Sequence, residues 1–287
     1  MTIMDGKAVA QSWKQEMRKN INLLHALGKP PCLAVISVGD DAASQVYVRN
    51  KRNACVQMNM RFIEKHLPAN CKPEDLESII DELNRDRSVN GIILQLPLPA
   101  HLDELHFIER ISPIKDVDGL TSTNTGYLVQ GQAEKLYIPC TPCGILNLLW
   151  HYGIRDFAGK HVVVVGRSRL VGRPLMELIV HRDGTITVCH SKTADLAHFT
   201  RQADILIVAV GKPKFITADM VKPGAAVVDV GINRVNGKLC GDVDFEAVKE
   251  IASHITPVPG GVGVMTVTAL LWNTITAALR QELERRT

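Results

Sequence analysis

The chain has 287 residues, 46% hydrophobic and 22% charged, with a net charge of +3 spread along its length, which predicts two domains with sizeable apolar cores. The charge forms no basic block, aromatic-studded basic sheet or zinc-finger spacing, which argues against a nucleic-acid partner, and no apolar run approaches the roughly 18 residues of a membrane helix. The N-terminus lacks a signal-peptide apolar core, and seven scattered cysteines suit a reducing cytoplasm better than a disulfide framework.

The first predicted helix covers 5–27, with Val9, Trp13, Met17, Ile21 and Leu24 on one stripe, and ends at Gly28-Lys-Pro-Pro31. A strand over 33–38 closes at Gly39, and a helix follows through Ser44, Tyr47, Lys51 and Cys55. A short strand over 61–66, a helix over 73–84, a strand over 91–96 and a helix over 102–111 continue the alternation, which implies a parallel sheet with helices on its faces. Residues 116–138 read as a long loop rich in Thr, Ser, Asn and Gly, a candidate functional surface. A helix over 142–150 links to a second block. Its strands are predicted at 161–165, 185–189, 205–210 and 225–230, and a final helix is predicted over 266–283.

In that second block, four consecutive valines before Gly166 read as a strand buried on both faces. Gly166 allows a sharp turn, and Gly172 lets the following helix lie close to the strand. Strand, glycine turn and helix together aim backbone N–H groups at a phosphate. With only these two glycines the motif falls short of G-x-G-x-x-G, and an ordinary βα turn is the alternative. The strand over 185–189 ends at His190-Ser191-Lys192-Thr193, where an NAD site would carry a carboxylate for the ribose. A hydroxyl, a lysine and Arg167 would instead attract a 2′-phosphate, which favours NADP; Ser191 as a helix cap is the plainer reading. The strand ends at Gly166, His190, Gly211 and Gly231 would line one crevice.

Tyr47 and Lys51 stand four apart on one predicted helix and share a face, with Ser44 a further turn back. A partly buried lysine can donate or accept a proton; a solvated lysine between Arg49 and Arg52 is the alternative. Gln95 ends an apolar strand and reaches either a ligand or Lys51, or else satisfies loop backbone. Asp118 could accept two hydrogen bonds from the amidine-like edge of a heterocycle, or cap its own turn. Cys140-Thr-Pro-Cys143 raises a zinc or redox site, but no second C-x-x-C and no histidine pair accompanies it, so no metal is expected.

The segments Ala43-Ser-Gln-Val-Tyr47-Val-Arg-Asn-Lys51, Leu94-Gln95-Leu-Pro-Leu-Pro99, Lys115-Asp-Val-Asp118-Gly-Leu, Pro139-Cys-Thr-Pro142, Val165-Gly-Arg-Ser168, His190-Ser-Lys-Thr193, Asp229-Val-Gly-Ile-Asn233 and Thr256-Pro-Val-Pro-Gly-Gly-Val-Gly263 stand in order along the chain. This set resembles the bifunctional methylenetetrahydrofolate dehydrogenase/methenyltetrahydrofolate cyclohydrolase family over nearly the whole chain. The resemblance implies an α/β fold of two domains with a cleft between them. The first is a folate-binding, catalytic parallel-sheet domain over 1–140 with 266–287, to which the C-terminal helix returns. The second is a Rossmann-type NADP-binding domain over 141–265.

The resemblance also implies a cytoplasmic homodimer, free of membrane and nucleic acid, acting on tetrahydrofolate derivatives in one-carbon metabolism and purine biosynthesis. It oxidises 5,10-methylenetetrahydrofolate with NADP and hydrolyses the methenyl product to 10-formyltetrahydrofolate. Lys51 would be the acid/base, Tyr47 would stack on or bond the folate, and Gln95 would hold Lys51. Asp118 would grip the pterin edge, with Ser44, Pro259, Gly260 and Gly261 also at the substrate. Gly166, Arg167, Ser168, His190, Ser191, Gly211 and Ile232 would hold NADP. The chain departs from the family at Val264, where the usual residue is proline, and at Cys143, often basic. A different NADP oxidoreductase, with Lys51 and Asp118 serving another substrate such as a hydroxy acid, is a competing reading that lacks a reason for Gln95 and the Pro-Val-Pro-Gly-Gly loop; a non-catalytic dinucleotide sensor is another, against which Tyr47, Lys51, Gln95 and Asp118 together argue.

Overall fold

The computed structural model describes residues 1–135 and 137–285. In chain order the elements are β1 (Thr2–Ile3), α1 (Gly6–Ala26), β2 (Cys32–Val38), α2 (Ala42–Gln57), β3 (Arg61–Leu67), α3 (Pro73–Arg85), β4 (Gly91–Leu94), α4 (Glu104–Arg110), α5 (Ser122–Val129) and α6 (Cys140–His151). There follow β5 (His161–Val165), α7 (Gly172–Val180), β6 (Thr185–Cys189), α8 (Leu196–Thr200), β7 (Ile205–Val208), β8 (Ala226–Asp229), β9 (Asn233–Val235), β10 (Lys238–Cys240), α9 (Phe245–Val248), β11 (His254–Ile255) and α10 (Val262–Glu284). The chain divides into two compact units, one of Met1–Gln11 with Thr141–Thr266, the other of Ser12–Cys140 with Val267–Thr287.

In the unit containing Ser12–Cys140, a three-stranded parallel sheet has the order β3-β2-β4. All seven residues of β2 are buried, as a central strand covered on both faces requires. Leu76, Ile80 and Leu83 of α3 repeat at helical spacing and enter the core beside Ile36, Ile92, Leu94 and Phe107. Later in this unit, Asn273 of α10 donates to Val117 O at 2.9 Å and Ile138 O at 3.0 Å, and Trp272 packs on Trp13. By length and hydropathy α10 could cross a membrane, but 61% of its most apolar window is buried within the protein, as in a core helix. The stretch 116–138, read as a loop, contains α5. This short helix lacks a long apolar period and is started by Thr121, whose hydroxyl accepts from Asn124 N at 3.4 Å.

The other unit holds a six-stranded sheet in the order β1-β11-β8-β7-β5-β6, parallel throughout. Val162, Val163, Val164 and Val165 are buried, as expected for strand β5. From β5 the chain passes to β6 on one side and then to β7 on the other, so the order reverses between β5 and β7. In open α/β sheets ligands bind outside the carboxyl ends of the strands at such a reversal. The register pairs Val165 with both Cys189 and Val208, and Val208 with Asp229, so the four strand ends are level.

The assignment of residues 1–140 to a single domain needs one correction. Residues 1–11 belong with the six-stranded sheet, because Thr2 and Ile3 pair with His254 and Ile255, and Asp5 N donates to the Tyr152 hydroxyl at 2.8 Å. A two-residue strand carries no periodicity that a sequence could display.

Candidate active site

Helix α2 begins at Asp41, whose carboxylate accepts from Ser44 N at 2.7 Å. Val48 and Cys55 are buried, and Lys51 falls between them on the inward stripe, whereas Arg49 and Arg52 are exposed. Lys51 is therefore half-buried rather than solvated, and its Nζ donates to Gln95 Oε1 at 2.9 Å. Gln95 follows β4, and its backbone N donates to Ile36 O at 2.8 Å, which extends the ladder by one bond. Its Nε2 donates to Leu96 O at 2.8 Å. The amide thus satisfies loop backbone with one end and holds Lys51 with the other.

Burial pushes the Lys51 amine below the usual lysine range, opposed first by the negative charge of Asp118 and then by nearby Cys140 and Cys55. Tyr47, one turn earlier, is 38% exposed, and burial of the rest of its ring pushes the phenol upward. The pair presents a wet aromatic face beside a partly desolvated amine.

The turn before α5 is capped by Asp116, not Asp118. The buried Asp116 carboxylate accepts from Gly119 N at 3.0 Å, Thr121 N at 2.7 Å and Asn124 Nδ2 at 2.8 Å. Burial raises it to about 6 against the opposing effect of these bonds. With Asp116 fixing the turn, Asp118 is half-buried and, among the described residues, accepts no hydrogen bond. Its carboxylate is left available to a ligand. Sequence reasoning passed over Asp116; the repeated acid in Asp116-Val-Asp118-Gly119 was the available signal.

Gly166 and Gly172 shape the carboxyl edge of the six-stranded sheet. Gly166 sits at φ 126°, and a Cβ there would lie 2.3 Å from Ala209 O, across the strand-order reversal. A Cβ on Gly172 would lie 2.1 Å from Gly166 O, so only glycine lets α7 start this close to the turn. Arg167 and Ser168 are exposed on the turn, with the Ser168 hydroxyl accepting from Val171 N at 3.2 Å. After β6, His190 Nδ1 accepts from Lys192 N at 3.1 Å, and Ser191 and Lys192 are exposed. Ser191 does not cap α8; Asp195 does, accepting from His198 N at 3.2 Å. Among the described residues, the edge therefore carries a tight glycine cradle, two cations and an exposed hydroxyl, with no carboxylate where a ribose 2′-hydroxyl would be held. This donor set fits NADP.

Gly211 and Ile232 follow β7 and β8 on the same edge, and both are exposed. Pro259, Gly260 and Gly261 lie on the loop after β11, where Gly260 takes φ 110°. That loop packs tightly on the start of α1, for a Cβ on Gly6 would lie 2.1 Å from Gly261 O. Among the candidate residues, Lys51, Gln95, Tyr47, Ser44 and Asp118 share one unit. Pro259–Gly261 and the cofactor residues belong to the other. Cys140 and Cys143 are buried and not joined in a disulfide, and the Cys143 thiol is pushed up to about 12 by burial. Among the described residues, no His, Cys, Asp and Glu group suits a metal.

These features define a two-domain α/β fold of the dinucleotide-dependent dehydrogenase class, with the glycine turn in one unit and Lys51 and Gln95 in the other. Residues 4–118 match the family described as tetrahydrofolate dehydrogenase/cyclohydrolase, catalytic domain, and residues 139–282 match its NAD(P)-binding domain. The bifunctional protein FolD of Halalkalibacterium halodurans is 53% identical over 96% of this chain and 98% of its own length. The solved structure of the Campylobacter jejuni bifunctional enzyme FolD, methylenetetrahydrofolate dehydrogenase/cyclohydrolase, superposes with a TM-score of 0.95 at 47% identity, covering 98% of this chain and 99% of that one. The Trypanosoma brucei enzyme, solved with NADP cofactor and an inhibitor, gives a TM-score of 0.93 at 38% identity, covering 98% of each chain. The chain belongs to the tetrahydrofolate dehydrogenase/cyclohydrolase family.

Proposed function

We propose that Lys51 is the proton-handling group of a bifunctional enzyme, held by Gln95 and flanked by Tyr47 and Asp118. The enzyme oxidises 5,10-methylenetetrahydrofolate with NADP and hydrolyses the 5,10-methenyl product to 10-formyltetrahydrofolate. The observation that carries the assignment is the 2.9 Å bond from a partly desolvated lysine to Gln95. NADP, when bound, supplies the hydride acceptor. Gly166, Arg167, Ser168, His190, Ser191, Gly211 and Ile232 hold it, with Arg167, Ser191 and Lys192 at the 2′-phosphate.

Oxidation leaves a positive charge shared by two folate nitrogens. A permanently charged ammonium beside it would oppose that charge. The lowered pKa of Lys51 reduces the opposition and leaves an amine able to take a proton from the water that attacks the methenyl carbon. The bond to Gln95 Oε1 fixes the direction of the amine. Asp118 accepts two hydrogen bonds from the amidine edge of the pterin, and Tyr47 stacks on or bonds the folate. Ser44 and the Pro259–Gly261 loop complete the folate contacts. The protein works as a cytoplasmic homodimer, unattached to membrane or nucleic acid, and its product feeds the one-carbon supply of purine biosynthesis.

Absorbance monitoring with methylenetetrahydrofolate and NADP, repeated with NAD, tests substrate, reaction and cofactor together. Methenyl formation with NADP and its subsequent decay are the expected traces. An absence of turnover would favour the sensor reading.

A further inference from the structure

Three consecutive backbone amides just beyond β7, those of Val210, Gly211 and Lys212, converge on one carboxylate. Asp242 Oδ2 accepts from Val210 N at 2.6 Å and Gly211 N at 2.9 Å, and Oδ1 accepts from Lys212 N at 2.8 Å and Asn233 Nδ2 at 2.9 Å. The side chain is fully buried. Consecutive amides curled round an anion form a nest, and at the end of a parallel strand such a nest commonly meets a ligand's phosphate. Here the protein's own carboxylate fills it. A carboxylate offers about four acceptor sites, and all four donors are present.

Asp242 is itself anchored. Its backbone N donates to Asp229 Oδ1 at 2.9 Å, which also takes Gly231 N at 3.0 Å, while Val243 N donates to Asp229 Oδ2 at 2.9 Å. The backbone continues the join, with Lys214 N to Gly241 O at 3.1 Å and Ile216 N to Asp242 O at 2.9 Å. Gly231 fits only as glycine, since a Cβ would lie 2.2 Å from the Asp242 carboxyl carbon. Ile232 therefore stands between two tied residues: Gly231, bonded to Asp229, and Asn233, bonded to Asp242.

We propose that Asp242 is a positioning residue for NADP: it locks the Gly211 and Ile232 loops into one rigid shelf and leaves the cofactor phosphates to the Gly166–Gly172 turn. This rests on the reading of both loops as cofactor edge. Being fully buried and saturated, Asp242 cannot touch NADP and acts only through the loops. Gly211 has its amide committed to Asp242, so it offers a ligand its open Cα face; nothing lies within 4 Å of a Cβ placed there.

The test is Asp242→Asn, which sets an NH2 against backbone donors and breaks the nest without changing its volume. The expected result is a rise of about tenfold in KM for NADP in the dehydrogenase assay, with a smaller change in kcat. Hydrolysis of methenyltetrahydrofolate, which consumes no NADP, stays at the native rate. Asn233→Ala removes one donor and keeps the carboxylate; a rise of about twofold to threefold is expected, and this variant decides the matter if Asp242→Asn does not fold. A native KM for NADP in whichever of these folds, or parallel loss of both activities in Asp242→Asn, overturns the proposal. Calorimetric titration of the native protein with NADP separates the two levels. No binding there sinks the cofactor reading itself, whereas native binding with unaltered affinity in Asp242→Asn sinks only the role of Asp242.

Discussion

Lys51 Nζ and Gln95 Oε1 lie 2.9 Å apart, a bond that ties the inward face of α2 to the carboxyl end of β4. It joins the single cation of the α2 core stripe to the polar residue that ends an apolar strand. The strand is anchored in a core of Ile36, Ile92 and Leu94, and the helix buries Val48, Ala54 and Cys55. A group that must meet a reacting carbon repeatedly needs such support.

Lys51→Met keeps the length of the aliphatic stem and removes the amine. Cyclohydrolase activity should fall by about a hundredfold to ten-thousandfold, the usual contribution of a positioned acid or base. NADP binding should be native, because the cofactor residues lie in the other unit. Decay of methenyl absorbance measures the first, and calorimetry the second. Full cyclohydrolase activity in this variant would remove Lys51 from the mechanism.

Asp118 is the largest influence raising the Lys51 pKa against burial. Asp118→Asn removes that charge, so the amine titrates lower still. The pH midpoint of hydrolysis should move down, and KM for folate should rise as the pterin loses a carboxylate partner. A pH–rate profile on both proteins reads the shift. An unmoved midpoint would show that Asp118 does not face the amine.

The valine and isoleucine runs of β5 and β7 were legible because β-branched apolar residues in a continuous row suit a strand covered on both faces. The inward place of Lys51 was not legible from its own segment, where Arg49 and Arg52 flank it as they would a solvated lysine; the burial of Val48 and Cys55 on its stripe reveals it. What escaped was short or remote. Strand β1 and helix α5 are too brief to show a period. Asp116 and Asp118 stand two places apart in a turn, and only the fold decides which one faces its amides. Asp242 carries no local pattern at all, since its amide donors lie 30 to 32 residues away.

Gly172→Ala probes the cradle. The added Cβ would lie 2.1 Å from Gly166 O, a backbone atom that cannot step aside as a side chain would. A destabilisation of about 1–3 kcal/mol is expected from the overpacking, with NADP affinity falling because the turn must open. Urea denaturation and NADP titration measure the two effects. Unchanged values in both would mean that α7 has slack against β5.

Ser191→Asp places a carboxylate beyond β6, where an NAD enzyme would hold the ribose. It should repel a 2′-phosphate and accept a hydrogen bond from a free 2′-hydroxyl. The ratio of kcat/KM for NADP to that for NAD should fall by at least about tenfold, or 1.4 kcal/mol. An unchanged ratio would place the 2′-phosphate elsewhere on the edge.

Two buried carboxylates give the protein an unusual response to mild acid. Burial raises Asp116 and Asp229 each to about 6, against about 3.9 in an unfolded chain. Between those values the folded state holds a proton that the unfolded state has released. Each group therefore adds stability as pH falls through 6 towards 4, and that contribution is lost as pH rises through 6. Asp81, Asp86 and Asp204 have lowered values and act oppositely, withdrawing stability at still lower pH. The slope between pH 5 and 7 should thus flatten in Asp116→Asn and in Asp229→Asn, whatever their absolute stability. Each pKa unit amounts to about 1.36 kcal/mol per group. Carboxyl carbon NMR on the native protein supplies the direct check: both resonances should show midpoints near 6, and midpoints near 4 would mean that the amide donors around Asp116 and Asp229 outweigh their burial.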